Sequence, residues 1–491
     1  MNLALRLFTL ILPNITSTFQ MGVVATLSGL TSVPEDGLRL ILSMLAGYPL
    51  AALYRTFLYN KPAVVQHYFI VTIGILLHLF NCGFAIYHTL ISILICYAIT
   101  NFLPGTTLSV ALAHICFLGH LLVGYFVAET ATYDITWTTP FCILTLRLIG
   151  LVMDVYDGQK PKEKLKPDQV STAIPHPPSL LEIASFSLFF AGTLVGPQFT
   201  FSRYRRFING EFLDNGEVRQ SSIMASIKRF VAGVTFAVFH KWGTLWVPDA
   251  YFNSPEFFNA PFHWKVIWNT IWFRATMYRY CFAFLITEGA VTLCGLSYNG
   301  KDSTGEDKWD GIRDIHIGKF ELGSDFQSVI ESFNCGTNAF AKNHVFRRLK
   351  WLGNKYYSQG ITLFYLALWH GYHLGYFLLF AVEFACVVAQ EMLYDVIRKT
   401  PGATEFFNQS WMKPFNWLFG RIVINTSMAF AFLTFGLVKK EVWIGPLKAM
   451  YFWGYIVYFL VLPPIFIALL KALPHKKKPH KHEENDKKKE L

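Results

Sequence analysis

Long apolar segments alternate with shorter polar ones along most of the chain. Each apolar segment is close to the ~20 residues that a helix needs to cross the hydrocarbon core of a bilayer. These segments are 37–58, 64–81, 84–102, 105–127, 229–247, 267–296, 361–381, 382–398, 417–437 and 451–473. The pattern predicts an all-α polytopic membrane protein with about ten or eleven transmembrane helices, because a spanning helix satisfies all of its own backbone hydrogen bonds.

Two further apolar segments carry features that a simple spanning helix lacks. Residues 136–158 include Arg147, Asp154 and Asp157, so this segment is either a short span or a re-entrant one. Another span is expected to begin near Leu180, and Gly196-Pro197 should end its helix. We therefore expect short or re-entrant helices beside the regular spans.

Polar residues concentrate in one long connection and in the carboxyl-terminal tail. Residues 299–355 are too polar to cross lipid, and unstructured connections of that length are usually functional or disordered. Residues 476–491 are densely charged, which predicts a disordered tail. Residues 1–475 are predicted to form a single membrane domain.

Composition agrees with a membrane protein and narrows its partners. Of the 491 residues, 53% are hydrophobic and 15% are charged, against roughly 25% charged in soluble proteins. The net charge of +11 lies mainly in loops and the tail, which favours anionic lipid or an anionic substrate over nucleic acid. The eight cysteines form neither a CxxC motif nor a Cys/His ligand spacing, so neither a metal site nor a disulfide framework is predicted.

The candidate chemistry begins in residues 359–377, an apolar stretch that contains His370 and His373. An ionisable side chain inside a span is a functional-site hypothesis, although an imidazole there can also simply hydrogen-bond to a neighbouring helix. Histidine exchanges protons near neutral pH, so His370 is a candidate general base. The spacing of Gly371 and Gly375 predicts one helical face that another backbone can approach closely.

A second polar group of residues lies shortly before this stretch, in residues 331–338. Asn334, Thr337 and Asn338 supply uncharged hydrogen-bonding groups that can orient a hydroxyl or donate to a developing oxyanion. No G-x-S-x-G elbow precedes them, and a Ser/His/Asp triad has no obvious members. The residues therefore favour direct transfer to an alcohol over a covalent serine intermediate, although an asparagine in a loop is more often a turn residue.

The order of several motifs carries a resemblance to a known family. The motifs are RLIGLVMDVYDG (147–158), PSLLE (178–182), GPQFTFSRYRRF (196–207), TEG (287–289), NG (299–300), KWD (308–310), FNCGTNAF (333–340), VFRRLKWLGNK (345–355) and ALWHGYHLGY (367–376). Together they resemble the membrane-bound O-acyltransferase superfamily in its lysophospholipid acyltransferase branch. They are most similar to the lysophosphatidylcholine acyltransferase 3 type.

The resemblance implies a fold in which helices surround a central reaction chamber, and it implies roles for individual residues. His370 matches the family's catalytic histidine and Asn334 its second catalytic residue, whereas His373 falls at a variable position and is interpreted as structural. Two departures are Phe333, where members often have Trp, and Cys335-Gly336, where related enzymes tend to have bulkier residues.

The resemblance also implies an acyl-CoA co-substrate and a lysophospholipid acceptor, lysophosphatidylcholine and its relatives, esterified at the sn-2 hydroxyl with an unsaturated chain. It implies no metal or redox cofactor. Membrane lipids and a second copy of the chain are further candidate partners. The candidate substrate-binding residues are Trp309, Asp310, Thr337, Asn338, Trp369 and Tyr376, and the candidate CoA-binding cations are Arg203, Arg205, Arg206, Arg347, Arg348 and Lys350. The alternative for the cations is the positive-inside rule, which alone places Lys and Arg in cytosolic loops.

The terminal residues suggest a location, and other functions stay open. Lys488 and Lys489 near the end of the sequence resemble a dilysine retrieval signal, which predicts an endoplasmic reticulum membrane protein with a cytosolic carboxyl terminus. One alternative is acylation of another acceptor, such as a sterol, diacylglycerol or a protein. A second is a multispan transporter in which His370 and Asp154 are proton or substrate sites.

Overall fold

The computed structural model describes residues 22–129 and 135–473. Within these residues the chain is built of helices, and the only β-type pairs are isolated bridges. In chain order the α-helices are α1 Gly22–Thr31, α2 Glu35–Phe57, α3 Ala63–Cys82, α4 Tyr87–Phe102, α5 Thr107–Ala113, α6 Gly119–Val127, α7 Thr138–Gly158, α8 Pro167–Thr172, α9 Leu180–Ser187, α10 Phe201–Ile208, α11 Ser221–Trp246, α12 Pro255–Asn259, α13 Phe262–Leu293, α14 Ile317–Leu322, α15 Phe326–Ser332, α16 Cys335–Phe340, α17 Lys355–His370, α18 Leu374–Lys399, α19 Ala403–Phe407, α20 Lys413–Gly436, α21 Lys440–Ala449, α22 Trp453–Tyr455 and α23 Leu462–Ala472.

Eight helical segments of the described chain are long and apolar enough to cross a membrane. They are Glu35–Phe57, Ala63–Phe102, Thr107–Val127, Thr138–Gly158, Ser221–Asn253, Leu374–Lys399, Lys413–Gly436 and Trp453–Ala472. The predicted all-α polytopic class is therefore confirmed, although the sequence suggested about ten or eleven spans. The difference arises because α3 and α4 form one apolar stretch, α13 carries several charges including Glu288, and α17 has only 16 residues.

The described chain folds as two compact units. The first contains residues 22–129, 135–246, Ala275–His316 and Ser332–His373, and the second contains Val247–Arg274, Ile317–Glu331 and 374–473. The single membrane domain predicted for residues 1–475 stays a prediction. The predicted charged tail, with Lys488 and Lys489, lies outside the described residues.

In the first unit α7 forms the centre of the core. In its most apolar stretch 89% of the residues are buried, against 22% in the apolar stretch of Ala63–Phe102, so α7 is enclosed by protein. Its Arg147 is 1% exposed and donates to the carbonyls of Phe186 (3.3 Å), Gly192 (2.8 Å) and Pro197 (3.0 Å). A buried guanidinium has to be paired or hydrogen-bonded, and these carbonyls supply that pairing.

The carbonyls that Arg147 binds also explain why the predicted span from Leu180 was wrong. Helix α9 has only eight residues and ends at Ser187. The apolar residues after it form turns rather than a helix, so their carbonyls lack intrahelical partners and need other donors. Arg147 supplies several of those donors from inside the core.

The predicted spans 361–381 and 382–398 were wrong in their boundaries. Helix α17 ends at His370, and α18 begins at Leu374. Gly371 separates them with φ 132°, a conformation that residues other than glycine rarely adopt, and its N–H bonds back to Ala367 and Leu368. Gly371 and Gly375 therefore do not share one helical face, contrary to the sequence prediction.

In the second unit α18 and α20 pack with their backbones close together. A Cβ on Gly375 would overlap the carbonyl oxygen of Thr434, whose hydroxyl donates to the Gly375 carbonyl at 3.0 Å. Gly375 thus does provide the close backbone approach that small residues allow between membrane helices. Residues Ile317–Glu331, the part of the polar connection that belongs to this unit, contact α20. There Arg421 donates to the carbonyl of Gly323 at 2.8 Å.

Candidate active site

His370 is the last residue of α17 and is partly buried. Its imidazole lies against the ring of Trp369, with 4.6 Å between ring centroids. The helix ends directly after it, because Gly371 takes the chain out of helical geometry. His370 thus stands at the end of a rigid helix, where the backbone changes direction.

Trp369 fixes the end of α17 to two neighbouring helices. Its indole N–H donates to the carbonyl of Cys142 in α7 at 2.8 Å, and its own carbonyl accepts from the hydroxyl of Tyr125 in α6 at 3.2 Å. Only 4% of Trp369 is exposed. The polar atoms of this predicted substrate-binding residue are used within the protein, so its observed contacts position His370.

His373 has its own partner after the helix break. Its Nε2 lies 3.6 Å from Oε1 of Glu129, and the Tyr372 hydroxyl donates to the other oxygen of that carboxylate. The ring of His373 also stacks on Tyr372, with 4.8 Å between centroids. These contacts are the kind expected of a structural histidine.

Asn334 lies immediately before α16 in the left-handed conformation, with φ 50° and ψ 45°. Asparagine tolerates this conformation better than most residues with a side chain. Its carboxamide caps no N–H of α16, and its backbone carbonyl accepts from the N–H of Asn338 at 2.9 Å. The carboxamide therefore has no capping role at α16.

The residues on either side of Asn334 are firmly held. Phe333 pairs with Ile315 in an isolated bridge, and its ring packs on Phe284 at 5.3 Å between centroids. After the turn, the N–H of Cys335 donates to the carbonyl of Asp314 at 3.0 Å, and the N–H of Gly336 donates to the Asp314 carboxyl at 3.1 Å. The first two N–H groups of α16 are thereby occupied.

The helix that follows Asn334 packs against the helix that ends at His370. The rings of Phe340 in α16 and Tyr365 in α17 lie 6.4 Å apart, and Phe340 also stacks on His344 at 5.0 Å. These residues all belong to the first unit. The structure therefore brings the elements bearing Asn334 and His370 into contact.

The other two polar residues of the FNCGTN segment differ in their surroundings. Asn338 uses its side-chain N–H to bond the carbonyl of Phe333 at 2.8 Å, which closes the turn around Asn334. Thr337 is 2% exposed, and its hydroxyl finds no partner among the described residues. Asn338 thus has a local structural task, whereas the Thr337 hydroxyl keeps its hydrogen-bonding capacity.

Trp309 and Asp310 lie in the same unit and are tied to α11 and the polar connection. The indole N–H of Trp309 donates to Ser221 at 3.2 Å, and its carbonyl accepts from Arg229. Asp310 accepts from Asn299 at 2.9 Å. Burial opposes ionisation of Asp310, but the Asn299 hydrogen bond and nearby cations outweigh it and hold the pKa below its ordinary value.

The predicted cations after Gly196-Pro197 all have partners. Arg203 donates to the carbonyls of Leu296 (3.0 Å) and Tyr298, and burial lowers the pKa of its guanidinium to about 10. The other two arginines form ion pairs instead: Arg205 lies 3.0 Å from Glu182, and Arg206 lies 2.6 Å from Glu211.

The cations before α17 face the acidic residues of α7 and α8. Arg347 lies 2.6 Å from Asp168, and Arg348 donates to Asp157, with one of its two bonds at 2.9 Å. Lys350 is exposed. A CoA phosphate would compete with carboxylates for the two arginines, so the predicted CoA role of these cations stays a prediction.

One predicted site residue lies in the other unit. Tyr376 is in α18 of the second unit, where it is 8% exposed and packs on Phe435 at 4.8 Å between centroids. Its predicted contact with substrate stays a prediction.

From the sequence, Glu288 was noted only within the TEG motif (287–289) and Asp314 was not named, although both residues hold the Asn334 turn. Glu288 did carry a signal, since it is an acidic residue within the apolar segment 267–296, and such residues mark functional sites. Asp314 carried none, because it sits among other charged residues of a polar loop.

Among the described residues, no group of three or more His, Cys, Asp or Glu side chains is placed to hold a metal ion. The chemical groups that the candidate residues His370, Asn334 and Thr337 offer are an imidazole, a carboxamide and a hydroxyl. An imidazole can accept the proton of an attacking alcohol, and a carboxamide N–H can donate to the oxyanion that results.

Comparison with known proteins identifies the family. The model of the membrane-bound O-acyltransferase family matches residues 122–433. The chain is 58% identical to lysophospholipid acyltransferase 5 of Caenorhabditis elegans, over 96% of this chain and 100% of that relative. It is 36% identical to lysophospholipid acyltransferase 5 of Homo sapiens (91% of this chain, 92% of the relative) and 24% identical to membrane-bound glycerophospholipid O-acyltransferase 2 of Homo sapiens (95% and 91%). On this evidence the chain belongs to the membrane-bound O-acyltransferase family.

Proposed function

We propose that this multi-pass membrane protein transfers an acyl chain from acyl-CoA to the free sn-2 hydroxyl of a lysophospholipid. Lysophosphatidylcholine is the expected acceptor and an unsaturated chain the expected donor. The observation that carries the proposal is the Asn334 turn, whose carboxamide caps no N–H of α16 and whose helix packs against the helix ending at His370. The names of the relatives support the acceptor class.

In the proposed reaction His370 is the general base. Its imidazole takes the proton of the acceptor hydroxyl while the oxygen attacks the thioester carbonyl carbon. The tetrahedral oxyanion that forms accepts a hydrogen bond from the carboxamide N–H of Asn334. The C–S bond then breaks, the thiolate of CoA leaves, and the imidazolium returns its proton to that thiolate. The products are an ester and free CoA.

The reaction as proposed includes no resident metal or redox cofactor, because it transfers no electrons and His370 and Asn334 serve the proton and the oxyanion. The donor's anionic head would be attracted by the basic residues around Arg203 and Arg347, which would have to exchange their present protein partners for phosphate. Thr337, whose hydroxyl has no partner among the described residues, is a further candidate to bind a polar group of a substrate.

We further propose the endoplasmic reticulum membrane as the site of action, with Lys488 and Lys489 on the cytosolic side. Replacing both lysines with Ser should shift tagged protein to later secretory compartments while acyl transfer in isolated membranes stays unchanged. An unchanged distribution would contradict a retrieval role for the lysines.

The test of the reaction is a substrate panel with purified protein in lipid nanodiscs. Lysophosphatidylcholine, -ethanolamine, -serine and -inositol are each offered with saturated and polyunsaturated acyl-CoAs, and CoA release is measured together with the product by mass spectrometry. Digestion of the product with an sn-2-specific lipase locates the new ester. We expect acyl-CoA-dependent consumption of lysophospholipid and release of the added chain by that lipase.

The same panel separates the alternatives. Transfer only to a sterol, diacylglycerol or a protein would replace the proposed acceptor but keep the chemistry. Absence of any transfer, combined with proton or solute flux into proteoliposomes, would instead support the transporter alternative.

A further inference from the structure

The carboxyl group of Asp314 lies directly behind the Asn334 turn. Its Oδ1 accepts the N–H of Gly336 at 3.1 Å, and the backbone carbonyl of the same residue accepts the N–H of Cys335 at 3.0 Å. One residue therefore holds the first two N–H groups after Asn334. Asp314 is 2% exposed, so water does not compete for these hydrogen bonds.

Asp314 is itself held by a second buried carboxylate. Oε1 of Glu288 accepts the N–H groups of Asp314 (2.6 Å) and Ile315 (3.0 Å), and Oε2 of Glu288 lies 3.3 Å from Nε of Arg229. Glu288 is 1% exposed. The turn at Asn334 is thus connected through two layers of hydrogen bonds to α13 and α11.

The backbone leading into the turn is fixed as well. His316 donates its backbone N–H to the carbonyl of Ser332 at 2.8 Å, and Ile315 forms a bridge with Phe333. Residues 314–316 therefore hydrogen-bond to the backbone both before and after Asn334. A single strand-like segment sets the position of its backbone.

The close contact at Gly336 leaves no room for a side chain. A Cβ at this position would lie 2.7 Å from Oδ1 of Asp314 and 2.8 Å from the carbonyl oxygen of Gln198, closer than real Cβ atoms come. The absence of a side chain at Gly336 is what allows the Asp314 carboxyl to reach the backbone.

We propose that Asp314 is a positioning residue for Asn334, holding the left-handed turn through its hydrogen bond from the Gly336 N–H. The inference rests on the proposed function, in which the Asn334 carboxamide serves the reacting group. A shift of the turn would displace that carboxamide, and displacements of about 1 Å can cost roughly a hundredfold in rate.

The surroundings of Asp314 favour the protonated acid at neutral pH. Burial, followed by the negative charge of Glu288, raises the pKa of Asp314 to about 8, against the opposing effects of the Gly336 hydrogen bond and Arg147. The other charged or titratable groups around this cluster are Arg313, Arg229 and the Cys335 thiol. Raising the pH through 8 ionises Asp314 and places a second negative charge beside Glu288, which disturbs the turn.

Three variants test the inference by steady-state kinetics between about pH 6.5 and 9.5, a range chosen to bracket the Asp314 pKa. Asp314→Asn keeps an acceptor for Gly336 and cannot ionise, Asp314→Ala removes the acceptor, and Asp302→Asn is the matched control at an exposed position of the same polar connection. The readouts are kcat and KM for both substrates. Size-exclusion chromatography and thermal unfolding report whether each variant is folded.

We expect wild type and Asp302→Asn to lose kcat above pH 8, and Asp314→Asn to keep roughly a third or more of the kcat at pH 7 without that alkaline fall. Asp314→Ala should lower kcat by at least ~10-fold with KM changed less than ~3-fold, because the loss acts on the transition state. If Asp314→Ala does not fold, the pH profile of Asp314→Asn decides alone.

An alkaline fall in Asp314→Asn identical to that of wild type would overturn the inference, as would an Asp314→Ala enzyme with normal kcat. Failure of the proposed function is distinguishable, because it would show as absence of acyl transfer in wild type itself. If wild type transfers acyl chains, His370→Ala does not, and the Asp314 variants match wild type, only the positioning role fails.

Discussion

Nε2 of His344 lies 3.0 Å from Oδ1 of Asp154, and both side chains are buried. The pair joins the basic segment before α17 to the C-terminal part of α7, and Arg348 and Asp157 make a second connection between the same elements. Asp154 was the acidic residue invoked in the transporter alternative. Its observed partner gives it a structural task within the first unit.

The first prediction concerns this pair. Asp154→Ala should lower the free energy of unfolding by roughly 1–3 kcal/mol, because the buried imidazole of His344 loses its hydrogen-bond acceptor. Asp154→Asn keeps an acceptor and should lose less. Thermal unfolding in detergent micelles measures both.

The matched control for the pair is Asp395→Ala, because Asp395 pairs with Arg398 where both side chains are about half or more exposed. Exposed ion pairs contribute little, so this change should leave the unfolding temperature nearly unaltered. Wild-type stability in Asp154→Ala would show that the His344 contact does not support the fold.

The second prediction concerns the two histidines around the helix break. His370→Ala should reduce acyl transfer by at least ~10²-fold, the usual scale for loss of a general base, in protein that still folds. His373→Ala should keep substantial activity, because the contact of His373 with Glu129 is structural. Tyr372 also binds Glu129 and would still hold it in the variant. Initial rates with both purified variants, compared at equal amounts of monodisperse protein, provide the measurement. Near-normal turnover in His370→Ala would remove it from the mechanism.

Hydropathy predicted the long apolar helices because a bilayer imposes a minimum length on every spanning segment. It failed at Leu180, where the apolar residues that follow α9 are buried by protein, and at residues 361–381, where two helices replace the one predicted. In the first case the decisive partner, Arg147, lies more than thirty residues earlier in the chain. In the second, the positive φ of Gly371 ends a helix that apolarity alone would continue.

In the candidate site, too, local sequence features were predicted and contacts between distant segments were not. His370 and Asn334 were found from residue type and motif, because both lie in short segments with recognisable composition. The support from Asp314 and Glu288 was not found, since it consists of backbone hydrogen bonds between segments distant in sequence. A motif identifies the groups that react, whereas tertiary contacts decide which residues hold them in place.

The third prediction concerns the close approach at Gly375. Gly375→Ala should destabilise the protein by about 1–3 kcal/mol or more, because its Cβ would overlap the backbone of Thr434. Gly360→Ala is the matched control within a helix, since no atom lies within 4 Å of its added Cβ. That control should stabilise by roughly 0.5–1 kcal/mol through helix propensity. Unfolding temperatures that move in the same direction would contradict the packing argument.

The last prediction concerns the role of the Asn334 carboxamide. If its N–H donates to the oxyanion, Asn334→Ala should lower kcat by roughly 10²–10³-fold at saturating acyl-CoA, as loss of one such donor does elsewhere. Asn334→Asp should then be no better, because an ionised carboxylate only accepts hydrogen bonds and would repel the oxyanion. The measurement is kcat of both variants side by side at pH 7.

If Asn334 instead accepts a hydrogen bond from the substrate, Asn334→Asp should be more active than Asn334→Ala. If the carboxamide oxygen of Asn334 accepts the hydrogen bond of the acceptor hydroxyl, Asp retains that acceptor and should restore part of the activity that Ala loses. Aspartate also tolerates the left-handed conformation at this position, so the turn itself is preserved in Asn334→Asp. Asn338→Ala is a further control. It removes the hydrogen bond from Asn338 to the Phe333 carbonyl, which closes the turn, and leaves the carboxamide of Asn334 in place. Wild-type rates in both Asn334 variants would exclude this residue from the active site and leave His370 without its expected partner.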